Sequence, residues 1–192
     1  FDEILSSIAA TPYAQTVQLR LAGRTVRLHS PSPRVQSLLV PSIAHLQVEP
    51  DSSVSELTIY YAEERDLSFK LKAPPWDGFN GQGYNASIPS DDIQIFFQPW
   101  QKQIFLYSRA KRTGIYWVQT ADDLPWWEAT FSFRIIFHFW THDLPAQLIH
   151  AGAIGHGGSA VLITGKSGSG KSTSCLRLLQ SGYQYLGDDY VW

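Results

Sequence analysis

Methionine is absent from this sequence, cysteine occurs once, and its 192 residues hold no run of basic charge. Each absence excludes something. With Cys175 as the only cysteine, no internal disulfide can form, and a reducing, cytoplasmic setting is expected. No stretch suits a bilayer: the most apolar one, Phe131 to Trp140, is too short and carries Arg134 and His138. The opening residues Phe1-Asp2-Glu3 are acidic rather than basic, so no secretory leader is read. A net charge of −2 without a basic tail speaks against a dedicated nucleic-acid binder. The missing methionine, the start at Phe1 and an end at Val191-Trp192, inside what reads as a strand, lead us to expect a segment of a longer protein.

What is present is an ordinary globular composition, 44% hydrophobic and 17% charged, in a chain long enough for one large or two small domains. Its most informative stretch is Gly165-Lys166-Ser167-Gly168-Ser169-Gly170-Lys171-Ser172, which fits the phosphate-binding pattern G-x-x-x-x-G-K-[ST]. A chance match in a chain of this length is expected roughly once in 150. The flanks lower that further. Ser159 to Thr164 is a short apolar run that reads as a buried strand, and Lys171 to Gln180 reads as a helix, with Cys175, Leu178 and Leu179 on one face and Arg177 and Gln180 outward. Glycines let the backbone N–H groups close on a phosphate chain at a helix N-terminus. Lys171 is then expected to neutralise the β- and γ-phosphates of ATP and the Ser172 hydroxyl to ligate Mg²⁺, with the cofactor-binding set running from Gly165 through Thr173.

Upstream, the pattern is that of a β-rich unit. Asp2 to Ala10 has helical spacing. Val17, Leu19 and Leu21 alternate with polar residues, as do Val26 and Leu28, which predicts a hairpin. A second hairpin is expected from Leu57, Ile59 and Tyr61 with Leu67, Phe69 and Leu71, and a third from Ile93–Phe97 with Ile104–Tyr107. Ile115 to Val118 adds a strand, and the Pro- and Gly-punctuated Ala73 to Tyr84 reads as a loop. Pro125 to His142 alternates like a strand from Phe131 to Phe139, but its length, Pro125 and Glu128 favour a helix bridging to the nucleotide domain. Gln147 to Ile154 then reads as a strand, turning through Gly155-His156-Gly157-Gly158 into the run before the loop. The expected fold class is therefore α+β / α/β. An antiparallel β-rich domain over 1–145 would be followed by a truncated P-loop nucleotide-binding domain over 146–192.

Gly187-Asp188-Asp189-Tyr190 follows a further strand at Tyr183 to Leu186. Two adjacent carboxylates at a strand end can divide labour beside a phosphate loop, one holding Mg²⁺ and one accepting the proton of an attacking hydroxyl. A turn built for its backbone alone is the plainer alternative. His150, between Ile149 and Ala151, suits a core position as readily as a site. The other histidines (His29, His45, His138, His142, His156) lack zinc-ligand spacing. Trp76 and the pair Trp126-Trp127 are candidates to line a substrate surface, and Asn85-Ala86-Ser87 matches a glycosylation acceptor that a cytoplasmic chain would not use.

Leu148-Ile149-His150-Ala151, the loop from Ala160 to Ser172, Gly182 and Gly187-Asp188-Asp189-Tyr190-Val191 together resemble the C-terminal domain of HPr kinase/phosphorylase, in particular the HPr-kinase-related bacterial serine kinases. The resemblance covers about the last 45 residues. It implies a fold similar to that of phosphoenolpyruvate carboxykinase, and an enzyme that uses Mg-ATP to phosphorylate a serine-type hydroxyl of a protein, peptide or small molecule. By the same resemblance Asp188 would act as general base, Asp189 would help hold Mg²⁺, and His150 would support the aspartate and the incoming substrate. Two other classes fit a phosphate loop: a transporter ATPase subunit, against which the early Asp188-Asp189 pair argues, and a non-catalytic nucleotide-sensing module. Lys166 and Arg177 are the only other cations after residue 145. Further donors for the γ-phosphoryl group would thus come from downstream, from the β-rich domain or from another subunit of a homo-oligomer.

Overall fold

Two hairpins of the first unit follow directly from period-2 alternation. In the computed structural model, which describes residues 1–13, 15–68, 70, 79–84 and 90–192, the chain divides into Phe1–Asp143 and Leu144–Trp192. Strands β1 (Gln15–Leu21) and β2 (Arg24–Ser30) pair antiparallel with Leu19 opposite Val26, joined by Ala22-Gly23, both at positive φ (49° and 79°). Strand β3 (Gln47–Val48) is a short edge on β1. The next strand, β4 (Leu57–Glu63), lies parallel to β2, with Leu28 opposite Ile59. Strands β5 (Ile93–Gln98) and β6 (Gln103–Ser108) form the second hairpin, and β7 (Thr113–Val118) pairs antiparallel with β6 and parallel with β4. The sheet order is β3-β1-β2-β4-β7-β6-β5.

Every residue of β6 and β7 is buried, as interior strands covered on both faces must be. One face is covered by α1 (Asp2–Ala10), whose Ile8 packs with Phe97, Ile104, Leu106, Ile115 and Trp117. The opposite face carries an aromatic layer: Phe105 stacks on Tyr116 at 4.5 Å, and Phe133 meets both Tyr61 and Tyr116 edge-on. Helix α2 (Pro33–Leu39) is started by Ser32, whose hydroxyl accepts the Val35 N–H at 3.3 Å, with Pro33 at the first helical position. Helix α3 (Arg134–Thr141) lies over β6 and β7 so closely that a Cβ on Gly114 would stand 2.5 Å from Ile136 Cγ2.

Several expectations are corrected. The first unit is not an antiparallel sheet: β4 runs parallel to both neighbours, making the sheet mixed. The expected hairpin between 57–61 and 67–71 cannot form beside β4, because β2 and β7 already occupy both of its edges. Leu67, Ser68 and Lys70 are not in a strand, and 69 and 71 lie outside the described residues, as do 73–78 with Trp76, and 85–87. The helix expected over 125–142 is confined to 134–141. Before it the chain makes separate turns (Glu128 N–H to Pro125 O, Ala129 N–H to Trp126 O), and the Ser132 hydroxyl bonds the Leu39 and Glu128 carbonyls instead of continuing a helix. Phe133 adopts a left-handed φ of 61°, which sets its ring into the aromatic layer.

The second unit holds the largest correction. Strands β8 (Gly152–His156) and β9 (Ser159–Ile163) form an antiparallel hairpin through Gly157-Gly158, so the strand expected over 147–154 begins and ends later. Helix α4 (Lys171–Gln180) follows, and β10 (Gln184–Gly187) pairs antiparallel with β8. The hairpin turn expected at Gly155–Gly158 is present, but the expected truncated P-loop domain is not what forms. The hairpin places β8 against β9, and the strand after α4 takes the other edge of β8, running antiparallel to it. Three antiparallel strands and one helix result, and the chain as a whole is of the α+β class. Among the described residues no helix is long and apolar enough to cross a membrane.

Candidate functional site

Between β9 and α4 the glycine loop turns back on itself. Gly168 (φ 76°) and Gly170 (φ 87°) take left-handed conformations that side chains oppose, and a Cβ on Gly165 would stand 2.6 Å from Ser169 Oγ. The Ser169 N–H donates to the Lys166 carbonyl at 3.1 Å, tightening the turn, and Gly170 is the residue at which α4 starts. Lys171 is only 8% exposed, and its ammonium donates to the Gly165 and Lys166 carbonyls at 3.1 and 3.3 Å. The cation is thereby drawn into the loop's concavity. Lys166, Ser167, Ser169, Ser172 and Thr173 are exposed around it.

Along α4, the buried face holds Lys171 and Cys175, while Leu179, expected on that face, is 44% exposed. The outer face lines a groove of about 540 Å³ formed by Gly170, Thr173, Ser174, Arg177 and Leu178. Arg177 is outward-facing, as its spacing predicts.

The paired aspartates diverge. After β10 the chain makes a three-residue turn, the Tyr190 N–H donating to the Asp188 carbonyl at 2.8 Å, with Asp189 at a φ of 67°. Ile149 and Val191 exchange two backbone hydrogen bonds of 2.9 Å, which fixes the neighbours His150 and Tyr190. His150 Nε2 lies 3.0 Å from Asp189 Oδ1, and its ring stacks on Tyr190 at 5.2 Å. Both side chains are substantially exposed. Asp188 points elsewhere: its Oδ1 is buried without a hydrogen-bond partner. The place is defined by Gly152, since a Cβ there would overlap the Cys175 Sγ and stand 3.3 Å from Asp188 Oδ1 and 3.8 Å from the Lys171 carbonyl. Burial, then the Asp188 charge, push the Cys175 thiol up, and burial followed by the same carboxylate raises the Tyr185 hydroxyl.

Of the residues singled out in the sequence, the structure thus brings together the loop, Lys171 and Asp188 at the first turn of α4, and His150 with Asp189 at the adjoining turn. Gly152 and Cys175 carry the close approach between β8 and α4, and neither stands out by sequence pattern. A glycine inside a strand pattern is the one signal available. Trp126 is exposed and meets Trp127 edge-on at 5.7 Å within the first unit. Among the described residues no three His, Cys, Asp or Glu side chains cluster as a metal site. Ser172 and Asp189 nonetheless offer exposed hard-oxygen donors, and Mg²⁺ characteristically takes one or two such groups together with phosphate oxygens and water. Comparison of the chain with family models, with curated proteins and with solved structures found no match.

Proposed function

We propose that this protein is a kinase that binds Mg-ATP at the 165–173 loop and transfers the γ-phosphoryl group to a serine-type hydroxyl of a protein, peptide or small molecule in the cytoplasm. The observation that carries the reading is the convergence on Gly152, where the Asp188 carboxylate meets the first turn of α4, the turn that begins with Lys171. Asp188 as a whole is part-exposed, so with Oδ1 packed against Gly152 it is the carboxylate's other oxygen that would take the proton of a hydroxyl nucleophile. Lys171 is the cation for the β- and γ-phosphates, and α4 directs its N-terminal amides toward them. His150 positions Asp189 through the 3.0 Å contact. Ser172 and Asp189 would hold Mg²⁺, which shields the charge of the phosphates when bound.

The test is transfer from γ-labelled Mg-ATP by the full chain to a panel of free serine, serine-containing peptides and HPr. Label on any hydroxyl acceptor, lost in Asp188→Asn, supports the reading. Tight ATP binding with no transfer to any acceptor would instead favour a nucleotide-sensing module.

A further inference from the structure

The second unit contains three Lys or Arg residues, and their placement is not scattered: Lys166 and Lys171 belong to the loop, and Arg177 lies on the helix that leaves it. Gly170, Thr173, Ser174, Arg177 and Leu178 stand at helical intervals of three and four, so they form one face of α4, and that face lines the groove of about 540 Å³. Gly170 belongs to both features, being the last glycine of the loop and the first residue of the groove. Loop and groove are therefore continuous. Arg177 comes six residues after Lys171, about 9 Å further along the helix axis at 1.5 Å per residue. Arg177 thus stands between one and two turns from the phosphate loop, on the helix face that Gly170 shares.

We propose that this groove seats the sugar and base of the nucleotide, with the Arg177 guanidinium stacked flat on a purine. The assignment rests on the reading of the 165–173 loop as the phosphate site. The face is open to solvent, so a flat group lying on it keeps one side in water. Thr173 and Ser174 supply hydroxyls that can hydrogen-bond a sugar, and Leu178 supplies an apolar surface. The only carboxylates of the unit are Asp188 and Asp189, of which Asp189 is held by His150 and neither lines the groove. Arginine suits the role because its planar, weakly hydrated cation stacks on aromatic faces, which the compact ammonium of lysine does not do.

Calorimetry on the full chain with Mg²⁺ separates the parts, comparing ATP with inorganic tripolyphosphate, which has the phosphates but neither sugar nor base. The expected result is that ATP binds about tenfold tighter than tripolyphosphate. Arg177→Ala, at an exposed helix position that alanine tolerates, should remove most of that preference and leave tripolyphosphate affinity unchanged. Arg177→Lys should fail to restore it. Equal affinities for the two ligands in the unaltered protein would overturn the groove assignment while leaving the phosphate loop standing. So would an Arg177→Ala variant that weakens both ligands equally, or full restoration by lysine, since either makes Arg177 a phosphate charge. If neither ligand binds, the phosphate reading itself fails and the groove assignment falls with it.

Discussion

Gly152 and Cys175 are in contact across β8 and α4, with no room between them for even a methyl group on the strand. The contact sets how deeply α4 sits on its sheet, and so where the first turn of the helix meets Asp188. Gly152→Ala should destabilise the second unit by about 1–3 kcal/mol, as overpacking typically does. Adding Cys175→Ala should recover part of that loss, because the two changes share one space. Thermal unfolding of the two single variants and the double variant measures the coupling. Purely additive losses would show that the clash is relieved elsewhere.

Lys171→Ala tests the loop. Its ammonium is buried against two carbonyls and provides the only buried positive charge in the concavity. Its removal should weaken Mg-ATP at least about tenfold, or ~1.4 kcal/mol. Unchanged affinity in a folded Lys171→Ala protein, measured by calorimetry, would remove this loop from nucleotide binding.

Glu128 gives the first unit a pH dependence of definite sign. The side chain is 2% exposed, its Oε2 has no hydrogen-bond partner, and burial pushes its carboxyl up to about 7, against a smaller opposing effect of Arg134. The folded protein thus keeps the proton that the unfolded chain loses near its ordinary value. Stability should fall as pH rises from about 4.5 to about 7 and then level off, by up to about 3 kcal/mol. His29 and His138, lowered mainly by burial, act in the opposite direction, losing stability as pH falls below their ordinary value. The difference between the unaltered protein and Glu128→Gln isolates the carboxyl. Denaturant melts at pH 5 and pH 8 should show a greater advantage for Glu128→Gln at pH 8. No change in the difference would mean that Glu128 is ionised in the fold.

Which parts were legible follows from the range of the interactions involved. The β1–β2 and β5–β6 hairpins could be read because alternation and turn residues are local, at Ala22-Gly23 and across Pro99–Lys102. The parallel placement of β4 between β2 and β7 could not, since no nearby residue records which strand will take each edge. The aromatic alternation over Phe131–Phe139 and the helical cues at Pro125 and Glu128 conflicted because they belong to different structures, a string of turns and then a short helix. In the second unit the phosphate-loop pattern was explicit, and so was the β8–β9 hairpin, although β9, read as a buried strand, is exposed from Ser159 to Leu162. The pairing of β10 with β8 was not, because it depends on a hairpin edge that forms first in the chain but is filled last.

The two aspartates should separate cleanly in kinetics. Asp188 leaves one buried oxygen unpartnered at the first turn of α4, whereas Asp189 is exposed and held by His150. If Asp188 accepts the proton of the acceptor hydroxyl, Asp188→Asn keeps the shape and loses the base, so ATP binding should survive while transfer falls by about 10²–10⁴. Asp189→Asn keeps a residue that tolerates the left-handed φ of 67°, so the turn should persist and the loss should appear as a raised Mg²⁺ requirement. His150→Gln should produce a weaker form of the same effect, because it releases Asp189 without removing the carboxylate. Turnover measured against Mg²⁺ concentration distinguishes the variants: saturating metal should rescue Asp189→Asn and His150→Gln but not Asp188→Asn. Rescue of Asp188→Asn by metal would exchange the roles of the two carboxylates, and equal turnover by all three variants would place the proton acceptor elsewhere.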